Sequence, residues 1–183
     1  MPGRKETFMK DLKALIFDVP DFPKPGIVFK DITPVIQDAE AFNLVIDLMA
    51  EVARRYSPDR VAAIESRGFI FGAALARELR TGFSLIRKKG KLPRPTLSLR
   101  APNEYAVEYF EAHLDSIQPG ERVIIVDDLI ATGSSAISAI ELVQKLGGRP
   151  VAFVALVELT FLEGVKKITE AHAEVPVFTL VKF

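Results

Sequence analysis

Two adjacent aspartates and a turn of small residues make up the segment with the most specific chemistry. Asp127 and Asp128 follow the apolar run 123–126, and a helical pattern begins at 135. In open α/β sheets, ligands bind outside the carboxyl ends of the strands, which is where these carboxylates would lie. The turn that leads into the helix consists of Ala131, Thr132, Gly133, Ser134 and Ser135. Its backbone N–H groups, its hydroxyls and the positive end of the helix suit a phosphate monoester.

The carboxylates and the phosphate must contact different parts of a ligand, because like charges repel. Ribose hydroxyls, with a divalent cation nearby, are the natural partners of Asp127 and Asp128. The segment lacks both the G-K-[ST] ending of a Walker loop and the G-x-G-x-x-G spacing of a dinucleotide site. A purely structural interpretation also fits, with Ser134 or Ser135 as a helix N-cap and two solvated aspartates.

The composition indicates one cytoplasmic domain without a general affinity for polyanions. The chain has 183 residues, 49% of them apolar, and 24 basic residues balance 24 acidic ones. We therefore expect no binding of nucleic acid or membranes, and any anion site must be local. Cysteine is absent and only two histidines occur, which excludes disulfides and disfavours a histidine metal cluster or a Ser/His/Asp triad. The first residues do not resemble a signal peptide, and no apolar run approaches the roughly 20 residues of a membrane span.

Short apolar runs alternate with helical patterns, which predicts a single α/β domain with a mostly parallel central sheet flanked by helices. The runs that suit buried strands are 61–64, 83–86, 123–126 and 151–157. Helical spacing occurs at 6–17, 39–56, 69–80 and 135–146. Gly147-Gly148 can form the left-handed end of the last helix. Two segments are expected to be irregular, the proline-rich 18–29 and the longer 91–110, which is typical of a functional loop.

The segment VIIVDDLIATGSS closely resembles the phosphoribosyl-pyrophosphate motif of the type I phosphoribosyltransferases. Five further stretches resemble the adenine branch of that family, in the family's order: DFPKPGIVFKDITP (21–34), IESRGFIFG (64–72), LIRKKGKLP (85–93), NEY (103–105) and VELTFLEG (157–164). The resemblance implies transfer of phosphoribose from 5-phosphoribosyl 1-pyrophosphate (PRPP) to adenine, with AMP and pyrophosphate as products and Mg2+ as cofactor. It also implies a type I phosphoribosyltransferase-like domain over 1–183. Within that domain, 1–35 would contribute a hood over the base and 91–110 a flexible catalytic loop.

The resemblance also assigns the sugar and phosphate contacts. The family residues that match Asp127 and Asp128 bind the ribose hydroxyls, and the turn 131–135 holds the 5′-phosphate. The family's turn is usually A-T-G-G-T, whereas this chain has A-T-G-S-S. If position 134 requires a positive φ, Ser134 is strained, and otherwise its hydroxyl adds a donor. No direct protein ligand to the metal is implied, since Mg2+ would be held mainly through pyrophosphate and ribose.

The pyrophosphate would meet a group of basic side chains. By resemblance the turn Ser66-Arg67 faces it, and the planar guanidinium of Arg67 matches its geometry. The basic cluster that contains Arg87, Lys88 and Lys91 becomes a candidate anion clamp. The family's arginine matching Arg87 reaches into the neighbouring subunit's site, which implies a homodimer. Without the resemblance, an ordinary helix start and a solvated charge run would account for these residues.

The base site is implied by the resemblance alone. Phe29 would stack on the adenine ring, and Leu159 would close its other side. The main chain of Val28 and Lys30 would hydrogen-bond to the edge of the base, so specificity would depend on backbone groups. Core packing is the competing interpretation of Phe29 and Leu159.

The family's catalytic glutamate matches Glu104, with Tyr105 beside it. This glutamate is thought to protonate the purine while the loop closes and excludes water. A second pair, Glu108-Tyr109, offers a competing alignment, although ungapped counting from both sides favours Glu104. The family usually has Y-x-L-E-Y-G here, whereas 101–106 is A-P-N-E-Y-A, which affects the closing motion but keeps the carboxylate.

Three other functions remain open. A sister enzyme for hypoxanthine, guanine, xanthine or orotate would share 123–135, but the 21–34 loop favours adenine. A sensor that binds PRPP without turnover would usually carry a DNA-binding module, for which the chain has no spare length. A catalytically weakened paralogue would fit the altered 101–106 loop and Ser134.

Overall fold

The computed structural model describes residues 12–101 and 108–183. The helices are α1 Thr33–Gln37, α2 Ala39–Arg54, α3 Gly68–Leu79, α4 Ser134–Lys145 and α5 Gly164–Ala171. The strands are β1 Phe17–Pro20, β2 Val28–Asp31, β3 Arg60–Ile64, β4 Gly82–Lys88, β5 Thr96–Arg100, β6 Tyr109–His113, β7 Arg122–Ile130, β8 Arg149–Glu158 and β9 Val177–Lys182. A single 3₁₀ turn, Thr160–Leu162, precedes α5. None of the helices described is both long and apolar enough to cross a membrane.

The described residues form two compact units, 12–47 and the part of the chain from 48 to 183. In the first unit, β1 and β2 pair as an antiparallel hairpin. The prediction of an irregular segment at 18–29 is therefore wrong at both ends and confirmed only between the strands. There, Asp21 and Gly26 have positive φ, and the Asp21 carboxylate accepts the N–H of Gly26 at 2.7 Å. The predicted helix 6–17 is present in the described chain as helical residues 12–14, and its predicted last residue, Phe17, is instead the first of β1.

The second unit contains a seven-stranded sheet in the order β5-β6-β4-β3-β7-β8-β9. The five strands from β4 to β9 in this order run parallel. β5 and β6 form an antiparallel edge beside β4. The predicted α/β class with a mostly parallel sheet is confirmed. β3, β7 and β8 are buried over most of their length, which explains their nearly continuous apolar sequences.

The segment 91–110 is more regular than its prolines suggest. Thr96–Arg100 pairs with β6 in an antiparallel ladder, so the prediction of irregular structure is wrong there. Residues 102–107, which include Glu104 and Tyr105, lie outside the described residues. β9 and α5 were not predicted either; they are short elements of six and eight residues.

The sheet topology and the ends of α4 position the candidate site. β4, β3 and β7 are neighbours and run parallel, so their carboxyl ends meet at one edge of the sheet. α4 begins directly after Gly133, which has φ +86°, and Gly147 follows its end with φ +91°. The N–H of Gly147 donates to Gln144 at 2.9 Å, which confirms the predicted left-handed cap.

Candidate active site

The acidic pair lies on the second half of β7, where the strand no longer pairs with β3. The ladder to β3 ends at Val126, while pairing with β8 continues to Ile130. Asp127 and Asp128 are both buried. The Oδ1 atom of Asp127 accepts the N–H of Asp128 at 2.9 Å. Burial, together with the nearby charge of Asp128, raises the pKa of Asp127 well above its usual value.

Arg67 contacts the acidic pair from the start of α3. The first residue of that helix, Gly68, packs so closely that a Cβ there would lie 2.8 Å from the Asp127 Oδ1 atom. This approach, which glycine allows, brings the Arg67 Nε to 2.6 Å from the Oδ2 of Asp128. The side chain of Asp128 is 7% exposed and that of Arg67 36%, so the ion pair lies at the mouth of the site.

A second ion-pair cluster surrounds Glu65, whose side chain is 5% exposed. Its two oxygens accept the Arg87 Nε and the Lys91 Nζ, each at 2.8 Å. Burial opposes ionisation of Glu65, but the hydrogen bonds from Lys91 and Arg87 outweigh it and lower its pKa. The Arg87 Nη1 also donates to the Lys91 carbonyl at 3.0 Å. Lys88 pairs instead with Glu108 at 2.6 Å.

The turn between β7 and α4 depends on two close approaches to α5. A Cβ at Gly133 would lie 2.7 Å from the carbonyl oxygen of Gly164, in addition to the strain of a positive φ. A Cβ at Gly164 would collide with the carbonyl oxygen of Ala131. These contacts fix the path of the turn into the start of α4.

Position 134 does not require the left-handed conformation. The positive φ belongs to Gly133, and Ser134 is the first residue of α4. Ser134 therefore replaces the family's glycine without backbone strain. Its hydroxyl lies 3.2 Å from that of Thr132, within hydrogen-bonding distance in the same turn.

Most of the predicted site residues line two adjoining cavities. A cleft of about 540 Å³ is lined, among others, by Ser66, Arg67, Lys88, Lys91, Asp127, Asp128 and Ser135. A smaller cavity of about 80 Å³ is lined, among others, by Asp127, Ala131, Thr132, Gly133, Ser134 and Ser135. Because Asp127 and Ser135 line both, the acidic pair lies where a space of phosphate size adjoins a larger cleft whose lining carries both basic and acidic side chains.

The remaining predicted residues of the second unit are placed differently. Arg87 does not line the cleft. It donates hydrogen bonds to the Glu65 carboxylate and the Lys91 carbonyl, and both of these residues line the cleft. Leu159 is buried directly after β8, and its N–H donates to Ile130 at 3.0 Å. Leu159 lines neither cavity.

The predicted base-binding residues belong to the hairpin of the first unit. Val28, Phe29 and Lys30 are consecutive on β2. The ring of Phe29 packs edge-on against Phe22, with the centroids 5.2 Å apart. Val28 is 52% exposed, which is high for an apolar residue on a strand. The hairpin thus presents apolar surface rather than burying all of it.

Two buried glutamates beside the cleft were not predicted as functional. Glu65 immediately follows β3, and Glu111 lies within β6. Each is a charged residue that interrupts or ends an apolar run, VAAIE and YFEAH, and that signal was available in the sequence. Such a carboxylate is expected to have specific partners, because an unpaired buried charge is strongly unfavourable.

A family model described as the phosphoribosyl transferase domain matches residues 35–175. The chain is 48% identical to the adenine phosphoribosyltransferase of Carboxydothermus hydrogenoformans, over 87% of this chain and 94% of that protein. The chain belongs to the adenine phosphoribosyltransferase family. The resemblance that five separated segments indicated is thereby confirmed.

Crystal structures within the adenine phosphoribosyltransferase family share this fold. The enzyme of Rhodothermus marinus superposes with a TM-score of 0.92 at 46% identity, covering 97% of this chain and 99% of that one. The Saccharomyces cerevisiae enzyme, in complex with D-2,5-dideoxy-2,5-imino-altritol 1,6-bisphosphate and adenine, gives 0.85 at 36% identity, covering 96% and 99%. The expected type I phosphoribosyltransferase fold is confirmed.

Proposed function

We propose that the chain transfers the phosphoribosyl group of PRPP to adenine, giving AMP and pyrophosphate in purine salvage. The observation that carries this proposal is the buried Asp127–Asp128 pair, which lies where a small cavity adjoins a larger cleft that contains Arg67, Lys88 and Lys91. A ligand that fills both needs a phosphate at one end, hydroxyls in the middle and a second anionic group at the other end. PRPP has its groups in that order. Membership of the family supports adenine as the acceptor.

The 5′-phosphate binds at the turn 131–135. Backbone N–H groups at the start of α4 donate to it, and the helix dipole favours its charge. The hydroxyls of Thr132, Ser134 and Ser135 add donors. The conformation of Gly133 supports this role, because its positive φ directs the chain into α4.

The ribose hydroxyls donate to Asp127 and Asp128. Hydrogen bonds to an ionised carboxylate are stronger than neutral ones. The same charge stabilises the positive character that develops at the anomeric carbon as pyrophosphate departs. Since Arg67 binds Asp128, the sugar and the pyrophosphate approach the two members of one ion pair.

The pyrophosphate binds to Arg67, Arg87, Lys88 and Lys91, with Ser66 in the adjoining turn. Each of these four cations is paired with a carboxylate. The cleft therefore has little surplus positive charge for a polyanion. We propose that Mg2+ accompanies the substrate, held mainly by oxygens of pyrophosphate and ribose, and improves the leaving group. The carboxylates and hydroxyls around the sugar are hard oxygen groups of the kind that Mg2+ prefers.

Adenine is the attacking group, and its contacts are proposed from the family resemblance. Phe29 stacks on the ring, the main chain of Val28 and Lys30 hydrogen-bonds to its edge, and Leu159 closes the other side. The exposed apolar surface of Val28 supports a binding role for this strand. Glu104, with Tyr105 next to it, is proposed to exchange the proton of the purine; both lie outside the described residues.

We also propose that the protein acts in the cytoplasm as a homodimer, by analogy with the family. In the described chain Arg87 is bound within its own subunit, to Glu65 and to Lys91. A role in the neighbouring site requires Arg87 to exchange these bonds for a phosphate of the partner. Light scattering coupled to gel filtration gives the assembly, and a monomer with full activity would contradict the dimer.

An assay with adenine, PRPP and Mg2+ tests the proposed function, with AMP and pyrophosphate as the measured products. We expect turnover with adenine and a kcat/KM at least about a hundredfold lower with hypoxanthine or guanine, because a mismatched hydrogen-bonding edge leaves buried groups unpaired. PRPP binding without turnover would favour a sensor, and preference for another base would favour a sister enzyme. The double variant Asp127→Asn/Asp128→Asn is the control, and its full activity would contradict the ribose site.

A further inference from the structure

The turn after β4 is hydrogen-bonded to a buried carboxylate that has no role in the proposed reaction. Glu111, on β6, is 4% exposed. Its Oε1 accepts the N–H groups of Gly90, Lys91 and Leu92 at 3.0, 3.0 and 3.1 Å. Its Oε2 accepts the hydroxyl of Thr96 at 3.2 Å. Gly90 has φ +87°, which makes successive N–H groups converge in the manner of a backbone anion nest.

Because an internal carboxylate fills this nest, the N–H groups of 90–92 already have their acceptor. The turn therefore offers a phosphate its side chains rather than its backbone. Lys91 lines the cleft, where its Nζ donates to Glu65. Arg87 lies directly opposite Glu111 in the β4–β6 ladder, and its Nη1 donates to the carbonyl of Lys91. One carboxylate thus fixes the main chain of the turn that follows Arg87 and carries Lys91.

We infer that Glu111 is a positioning residue that holds this turn so that Arg87 and Lys91 stand where pyrophosphate needs them. The inference rests on the proposed function, which puts pyrophosphate against those two side chains. Glu111 acts through reach: a single oxygen must meet three N–H groups at once, and a small displacement of the turn moves Lys91. Groups that bind a reacting ligand lose much of their effect when they are displaced by about 1 Å.

Two conservative variants distinguish the effect of the length of the Glu111 side chain from the effect of its charge. Glu111→Gln keeps the length of the side chain and one carbonyl oxygen, but removes the charge. Glu111→Asp keeps the charge and withdraws the carboxylate by one methylene, about 1.5 Å. Thr96→Val is the matched control, since it removes the contact of Oε2 and leaves the three N–H bonds of Oε1.

The test measures kcat, KM for each substrate, and the thermal midpoint. We expect Glu111→Asp to raise KM for PRPP at least about tenfold while KM for adenine changes less than about twofold, because the shorter side chain no longer reaches the three N–H groups of the turn. Glu111→Gln and Thr96→Val should stay within about threefold of wild type. A severe Gln variant beside a mild Asp variant would overturn the inference, and so would an Asp variant that loses stability with an unchanged KM for PRPP.

Failure of the proposed function gives a different result. Wild-type protein without turnover would contradict the reaction, and the variants would then be ranked by their affinity for PRPP in calorimetry. The same order is expected, with Glu111→Asp the weakest binder. Wild-type turnover together with unchanged PRPP binding in Glu111→Asp would refute the role of Glu111 alone.

Discussion

We expect the buried charge of Asp127 to lower the stability of the fold while it supports the proposed reaction. Removal of this charge should therefore raise stability and lower activity. Its pKa is raised by burial and by the charge of Asp128. A carboxyl group with a raised pKa binds more protons in the folded than in the unfolded state. The free energy of unfolding therefore falls as the pH rises from the unfolded value through the folded one. Asp127→Asn removes this loss and keeps the Oδ1 that accepts the N–H of Asp128 at 2.9 Å.

We expect Asp127→Asn to raise the free energy of unfolding at pH 7 by about 1–2 kcal/mol, within the range that a single stabilising substitution commonly gives. For a chain of 183 residues each kcal/mol moves Tm by about 2–4 °C, which gives a rise of about 2–8 °C. The kcat/KM should fall about 10–100-fold, because a hydrogen bond to a charged group contributes about 1.5–3 kcal/mol.

Urea unfolding of wild type and variant over a pH series measures the first effect, and AMP formation measures the second. The stability difference should narrow as the pH falls and the wild-type carboxyl takes up its proton. Asp128→Asn is the matched control: it breaks the ion pair with Arg67, so activity should fall without a gain in stability. A variant Asp127→Asn that is no more stable than wild type at pH 7, or that differs from it equally at every pH, would refute the reasoning.

Two variants of the phosphate turn follow from its geometry. Gly133→Ala puts a Cβ at φ +86° and 2.7 Å from the Gly164 carbonyl, so we expect a loss of about 1–3 kcal/mol in urea unfolding and weaker PRPP binding in calorimetry; unchanged values for both would show that the turn adjusts freely. Ser134→Gly restores the family's residue at a helical position, and KM for PRPP should stay within about threefold. A tenfold increase would mean that the serine hydroxyl is an essential donor.

The parts of the site that follow parallel strands could be predicted from the sequence. An apolar run indicates a buried strand, and the polar residues directly after it lie at the strand's carboxyl end, where ligands bind. Asp127 and Asp128 after VIIV are the clearest case. Glu111 could not be assigned in this way, since its partners are backbone groups about 20 residues away, brought close by an antiparallel ladder. The hairpin β1–β2 was obscured by prolines that fall at its end and in its turn.

On the proposed function, the ion pairs of the cleft explain how a chain of zero net charge can hold a polyanion. Without a long-range field, attraction must come from exchange of local partners. Arg67 is already partly desolvated against Asp128, and phosphate oxygens can replace the carboxylate at the same donors. Asp128 then needs a new partner, which the ribose hydroxyls supply. Pyrophosphate alone would leave Asp128 buried without its cation, and a ribose phosphate alone would meet an Asp128 still engaged by Arg67. Because an unpaired buried charge is strongly unfavourable, the pairing itself favours the ligand that carries both groups.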